Sequence, residues 1–310
     1  MEKKFADLPD KIKEKKRILF IINPVSGKRS SKNILNEINS GINSGKYIVD
    51  VKYSESAIHV TTLATDAVEA KTDIIVAVGG DGTINEVASC LIHSKSVLGI
   101  IPTGSGNGLA RHVGIPLSIP KAVKLINEAH YKLIDTATIN DKAFISIAGV
   151  GFDALIARKF ATSKKRGFTT YLQYVTNSFI KYQPKTYQLK INEKVIKTKA
   201  LFISFANSNQ FGYNAQIAPN AKLDDGMLDI CIVQKPNLFE MPLITNLVFL
   251  KRIDKSQHVD IIPAAEVTVE RKKGKYVNID GEAVKMSKKL EVKVVPLSLK
   301  IIIPKNGKEN

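Results

Sequence analysis

Cysteine is scarce in this sequence. Cys90 and Cys231 are the only two among 310 residues, and both lie inside apolar runs, far apart. A disulfide framework and a cysteine-rich zinc site are excluded. No stretch reaches the ~18 consecutive apolar residues of a membrane span, and the start, Met1-Glu2-Lys3-Lys4, lacks the apolar core of a signal peptide. A cytoplasmic protein of bacterial type is therefore expected. The five histidines (His59, His93, His112, His130, His258) show no metal-ligand spacing. Acid is also in deficit: 29 Asp and Glu stand against 46 Lys and Arg, a net charge of +17. Such an excess suits nucleic acid, nucleotide phosphates or acidic lipid headgroups, or is simply a solvated basic surface. With no zinc-finger spacing and no ribonucleoprotein aromatic motif, nucleic acid is not the expected partner.

What is present is a change of texture along the chain. Residues 1–16, with Lys11, Lys13, Lys15 and Lys16, read as a flexible or helical lead-in. From Arg17, short apolar runs (Arg17–Asn23, Ile74–Val78, Val97–Ile101) and the alternating Tyr47–Tyr53 are interleaved with helical periodicity. This predicts a parallel sheet with helices on both faces, built from right-handed βαβ units. Beyond about residues 130–136 strand-like segments dominate, among them Leu133–Ile139, Lys142–Ala148, Lys199–Ala206 and Met227–Val233. Helical insertions fall near Ala154–Tyr182 and Leu238–Lys251. An antiparallel β domain is predicted there, and the last run, Leu297–Pro304, suits either domain.

Three glycine-bearing turns follow strands of the first domain, at the carboxyl ends where open α/β sheets place their ligand crevice. The first is Asn23-Pro24-Val25-Ser26-Gly27-Lys28. Ile22 stands where a Walker A loop needs its first glycine, so it is not one. The second is Gly79-Gly80-Asp81-Gly82-Thr83-Ile84-Asn85-Glu86. Its glycines let backbone approach a ligand closely, and the capping-box spacing of Thr83 and Glu86 predicts a helix start whose amides suit phosphate. Asp81 would repel phosphate unless it held Mg²⁺; the alternative is a turn aspartate satisfying local amides. The third is Pro102-Thr103-Gly104-Ser105-Gly106-Asn107-Gly108-Leu109-Ala110-Arg111. Together the three could wrap one extended polyphosphate.

These segments resemble the nucleotide-binding motifs of the diacylglycerol kinase catalytic domain superfamily, which includes bacterial soluble lipid kinases and sphingosine kinases. Pro219–Leu228 and Asn278-Ile279-Asp280-Gly281-Glu282 match two further motifs in the right order, so the resemblance runs from about Arg17 to Pro304. It implies a Rossmann-like, phosphofructokinase-like α/β nucleotide domain over residues 17–134 and an antiparallel β-sandwich over residues 135–304, with the active site in the cleft between them. It also implies transfer of the ATP γ-phosphate to a lipid hydroxyl. Asn23, Pro24, Val25, Ser26, Gly27, Ser54, Gly80, Asp81, Gly82, Thr83, Ile84, Asn85, Glu86 and Ser105 would contact nucleotide. Glu282 would be the general base and Asp81 a second catalytic carboxylate; Asp280 and Glu282, two apart, would point the same way in extended chain. Asp225, with the carbonyls of Lys222 and Met227, would hold Mg²⁺, linked to the centre through Asp81 and Asp135. Gly108 stands where bacterial diacylglycerol kinases usually carry aspartate, closer to the small residue of sphingosine-kinase-like members.

Between Ala154 and Asn192 lie eight basic residues (Arg158, Lys159, Lys164, Lys165, Arg166, Lys181, Lys185, Lys190) and no acidic ones, interleaved with Phe160, Phe168, Tyr171, Tyr174, Phe179 and Tyr182. Two readings stand: an interface for an anionic membrane, or core aromatics under a solvated basic face. The expectation is an ATP- and Mg²⁺-dependent lipid kinase, cytoplasmic and peripheral at the inner membrane surface, with a homodimer admitted by the family. An NAD kinase-like enzyme and a non-catalytic nucleotide or lipid sensor are the alternatives.

Overall fold

The computed structural model describes residues 15–27, 29–163 and 167–305; most of the lead-in, residues 1–14, lies outside them. The first unit comprises β1 (Lys16–Ile22), α1 (Ser31–Gly41), β2 (Tyr47–Tyr53), α2 (Ala57–Glu69), β3 (Ile74–Gly79), α3 (Asp81–Leu91), β4 (Val97–Pro102), α4 (Gly108–His112) and α5 (Ile119–Glu128). Its four strands pair in parallel, in the order β2-β1-β3-β4. All six residues of β3 are buried, because helices cover both faces of the sheet. Helices α1 and α2 begin on Ser30 and Ser56, whose hydroxyls accept from Asn33 and His59 amides.

Helix α3 begins differently. Its cap is Gly80, with no side-chain cap bond, so the capping box expected of Thr83 and Glu86 does not form. Thr83 sits inside the first turn, where its hydroxyl accepts from Asn23 Nδ2 at 2.9 Å. The cap residue thus offers the first amides of this helix no side-chain acceptor.

The second unit follows as β5 (Tyr131–Ile139), β6 (Lys142–Phe144), β7 (Ile147–Gly151), α6 (Phe152–Ala161), α7 (Phe168–Phe179), β8 (Lys185–Ile191), β9 (Lys194–Ala200), β10 (Phe202–Ala206), β11 (Leu228–Val233), α8 (Met241–Phe249), β12 (Val259–Ala264), β13 (Glu266–Arg271), β14 (Tyr276–Ile279), β15 (Glu282–Lys285) and β16 (Lys289–Ile302). One sheet runs β12-β11-β10-β7-β14-β15, all antiparallel. The facing sheet contains β16-β13-β8-β9 with β5 and β6. Phe144, Phe205, Leu189, Ile203 and Val269 fill the space between them. The α/β unit and the antiparallel β-sandwich expected from the sequence are both present.

The final strand serves both units. The first half of β16 pairs with β13 (Val292 opposite Val267), and after a register shift between Val295 and Leu299 the second half pairs with the start of β5 and meets β4 at Leu98. A single sheet therefore continues from one unit into the other, and β5 crosses from residue 134 to 135 without a linker. The run expected over Lys142–Ala148 is split in two. Ile145, Ser146 and Ile147 turn their amides onto the Asp280 carboxylate instead of onto a neighbouring strand.

Candidate active site

The three glycine turns meet at the carboxyl ends of β1, β3 and β4. Gly79 O accepts from Thr103 and Gly104 amides (2.9 and 3.3 Å), and Thr103 Oγ1 donates to Ser26 Oγ at 3.1 Å. The approach is as close as backbone allows. A Cβ on Gly104 would lie 2.5 Å from Gly80 Cα, and one on Gly27, whose φ is +79°, would strike the Thr103 carbonyl. These glycines are required by the meeting of loops.

Asp81 is the clasp. Its Oδ2 accepts from the Asn107 amide (2.8 Å) and its Oδ1 from the Gly108 amide (2.7 Å). Burial pushes its carboxyl above the usual range, against these bonds and nearby Arg111. Asp81 thus satisfies local amides of the third loop. Gly108 is buried against the second unit: a Cβ there would stand 3.1 Å from Gln210 O and 3.3 Å from Gly212 N. A side chain here would need that backbone to give by a few tenths of an ångström.

Other expected nucleotide contacts divide. Val25 is 87% exposed beside exposed Pro24. Ile84, Asn85 and Ser105 border the cleft. Ser54 is buried at the end of β2, and its hydroxyl donates to Ile22 O at 3.4 Å, so its polar group is used locally.

The second unit delivers Glu282 on a tight hairpin. Asp280 and Gly281 both have positive φ (45° and 94°) and form the two-residue turn between β14 and β15. The Asp280 carboxylate accepts three amides, from Ile145, Ser146 and Ile147 (2.7, 2.9 and 2.8 Å). Asn278 Oδ1 accepts from the Gly281 amide, while its Nδ2 donates to Asp153 (3.0 and 2.9 Å). Burial raises Asp280 and Asp153 each to about 6. The turn separates the two acids that an extended chain would align. Asp280 faces inward, and exposed Glu282 reaches across the cleft, its Oε1 3.9 Å from the position of a Cβ on Gly82. Glu86, one helical turn further along α3, is raised to about 7 by burial and then by Glu282.

Asp135 is fully buried. Its oxygens accept from the Leu297 and Gly226 amides (2.7 and 2.8 Å), tying the break in β16 to the Asp225 loop. Asp225 is exposed, and its Oδ1 accepts from the Met227 amide at 3.1 Å. Burial, and then Asp225, raise Asp229 to about 6, so two carboxylates repel at this loop. Among the described residues no group of three or more His, Cys, Asp or Glu is arranged to hold a metal. An ion here would rest on Asp225 with peptide carbonyls such as those of Lys222 and Met227, hard oxygen donors that suit Mg²⁺.

Between the units, next to Asp81 and Gly281, a cavity of about 170 Å³ is walled by Ile84, Leu109, Phe160, Phe168, Tyr171 and Tyr213. Phe160 meets Tyr171 edge-on at 5.9 Å, and Phe168 contacts Tyr213 at 5.1 Å and Phe249 at 6.1 Å. The aromatics of the basic stretch thus split. Phe160, Phe168 and Tyr171 line this cavity, whereas Phe179 and Tyr182 pack with Phe152 in a small core. Lys164, Lys165 and Arg166 lie outside the described residues. The sequence reading missed Asp153, Asn278, Gln210 and Tyr213 as site residues; the positive φ of Gly212, set against Gly106, marks the segment that carries the last two.

Residues 17–139 match the model of the diacylglycerol kinase catalytic domain. Residues 146–303 match that of the YegS C-terminal NAD kinase beta sandwich-like domain. The chain belongs to the diacylglycerol kinase family. At family level it is a lipid kinase. It is 29% identical to a Bacillus subtilis diacylglycerol kinase over 279 residues, covering 86% of this chain and 90% of the relative. It is 28% identical to one from Staphylococcus saprophyticus over 272 residues, covering 86% and 89%. A crystal structure of a diacylglycerol kinase from Bacillus anthracis superposes with a TM-score of 0.75 at 21% identity, covering 95% of this chain and 99% of that one. At that identity the likeness speaks for the fold alone.

Proposed function

We propose that this diacylglycerol kinase family member transfers the γ-phosphate of ATP to the hydroxyl of a membrane lipid, of the diacylglycerol or sphingoid-like class. The observation that carries this reading is a juxtaposition. A helix N-terminus built to receive phosphate opens onto an aromatic cavity, and one exposed carboxylate, Glu282, stands at the junction.

The loop amides and the uncapped start of α3 hold the phosphates. Glu282 accepts the proton of the lipid hydroxyl as that oxygen attacks in line, and Asp280 and Asn278 position the turn that presents it. Asp81 acts as a positioning residue by fixing the third loop against the second. Mg²⁺, when bound, neutralises charge on the phosphates; Asp225 with Lys222 and Met227 carbonyls would hold a further ion that orders the loop joined to Asp135.

The acceptor has to come from a bilayer. Helix α8 has no buried residue; Leu243, Phe249 and Leu250 are 60%, 40% and 58% exposed, and Phe239 just before it is 96% exposed. Phe249 joins this apolar ridge to the cavity wall through Phe168. Lys251 and Arg252 follow the ridge directly, so the surface suits an anionic interface. Among the described residues no helix is long and apolar enough to cross a membrane, and we assign the protein to the cytoplasmic face as a peripheral enzyme.

Radiolabelled ATP with Mg²⁺ and a panel of lipids in mixed micelles, including diacylglycerol, monoacylglycerol, ceramide and sphingoid bases, tests the reading. Labelled lipid that disappears in Glu282→Ala supports it and names the acceptor. Nucleotide binding without transfer to any lipid overturns it.

A further inference from the structure

On the opposite side of α6 from the catalytic cavity lies a larger one, of about 550 Å³, bounded by α6, Tyr182–Tyr187 and the Arg271–Tyr276 turn that joins β13 to β14. Arg158, Lys185, Arg271, Lys272, Lys273 and Lys275 line it, and no acidic residue does. Among the described residues none of these six cations is ion-paired with a carboxylate. The crowding has a consequence: burial, and then Lys275 and Arg271, hold the Lys185 ammonium below its usual range.

One of these charges is held by backbone. The Arg271 guanidinium donates to the carbonyls of Lys275 (2.8 Å), Ser287 (2.9 Å), Met286 (3.1 Å) and Tyr276 (3.2 Å). Those acceptors are neutral, so the positive charge is left uncompensated. Gly274 lets the turn lie against the segment that follows β15, since a Cβ there would stand 2.8 Å from Met286 O. Arg158 sits over the Tyr276 ring at 4.6 Å and Lys185 over Tyr182 at 5.2 Å. The result is an aromatic hollow in which Arg271, Arg158 and Lys185 are held in place and three exposed lysines stand at the turn.

We propose that this hollow is a binding site for a phosphate-bearing anion, separate from the nucleotide loops. A dianionic phosphate takes several charge-assisted hydrogen bonds at once and relieves the repulsion among lysines, which a single carboxylate does only in part. The phosphate can belong to a lipid headgroup or to a soluble phosphate compound. Its position gives it reach. Asp153, Ala157 and Phe160 on one face of α6 line the catalytic cavity, while Ala154, Leu155 and Arg158 on the other line this one. Tyr276 lies two residues before Asn278, which holds both Asp153 and the turn that carries Glu282.

Calorimetric titration of the full chain tests the site, with the glycine loops saturated by a non-hydrolysable ATP analogue and ionic strength held constant. The probes are inorganic pyrophosphate and, separately, dihexanoyl phosphatidate. Saturable binding is expected, weakened at least tenfold in K272E/K273E/K275E, whose side chains are exposed in the native protein and whose melting temperature checks the fold. Arg158→Gln is expected to weaken it less. Tighter binding of phosphatidate makes this a headgroup site, and tighter binding of pyrophosphate a site for soluble phosphates. Equal affinity in the charge-reversed variant, or no saturable binding of either probe, overturns the proposal. None of these readouts requires kinase turnover, so the site and the lipid kinase reading fail separately.

Discussion

The two sides of the cleft are made of different material. The phosphate side is backbone: three contiguous turns, brought within van der Waals contact through glycines and clasped by one aspartate. The acceptor side is side chain: aromatics from α6, α7 and the Gln210–Ala215 segment, which meet only because the chain returns on itself. A backbone site tolerates almost no added atom and is specified by local sequence. A side-chain site tolerates exchange and is specified by topology.

The largest expected effect lies where the two sides meet. Glu282→Gln should lower the turnover number by ~10²–10⁴-fold, the usual contribution of a general base, with nucleotide affinity unchanged. Steady-state kinetics beside equilibrium binding of an ATP analogue make the check. A matching loss of affinity would place Glu282 on the phosphate side instead.

Next comes a single methyl group on the backbone side. Gly104→Ala places a Cβ 2.5 Å from Gly80 Cα, a backbone atom that cannot swing aside. Overpacking of this kind costs about 1–3 kcal/mol, read as a fall in melting temperature together with lost nucleotide affinity. On the acceptor side, Phe168→Ala removes a ring that contacts Tyr213 and Phe249. Its cost should be about 1–2 kcal/mol, a roughly 5–30-fold rise in KM for the lipid, with KM for ATP unmoved. If Phe168→Ala harmed ATP binding as much as Gly104→Ala does, the division between the two sides would fall.

The same division explains what could be read in advance. The three turns, the Asp225-Gly226 turn and the Asp280-Gly281 hairpin are local patterns of glycine and acid, so they stood out in the sequence. Thr83 was misread as a cap because its hydroxyl is taken by Asn23, sixty residues earlier. Phe160, Phe168 and Tyr171 read as core or membrane surface, since helical spacing does not say which neighbour a ring will meet. Asn278 stood in a recognisable motif, but its partnership with Asp153 spans 125 residues and was invisible for the same reason. The last strand read as ambiguous because it pairs on both sides of its bulge.

The smallest expected effect sharpens the junction itself. Glu86 has an ordinary value of 4.5 and is raised to about 7, by burial first and Glu282 second. The folded state therefore binds a proton more tightly than the unfolded chain between those values. Stability must then fall as pH rises from about 4.5 to about 7, and the whole penalty is present above 7. Asp153, Asp229 and Asp280, each raised to about 6, act with the same sign, so the wild-type slope is their sum. Glu86→Gln should remove the Glu86 share of that fall, and the variant should gain relative stability at pH 8 while differing little at pH 4.5. Because Glu282 is the second cause, Glu282→Gln should shift the Glu86 carboxyl downward in a carbon-detected NMR titration. An unmoved Glu86 would mean that the two carboxylates do not share the cleft.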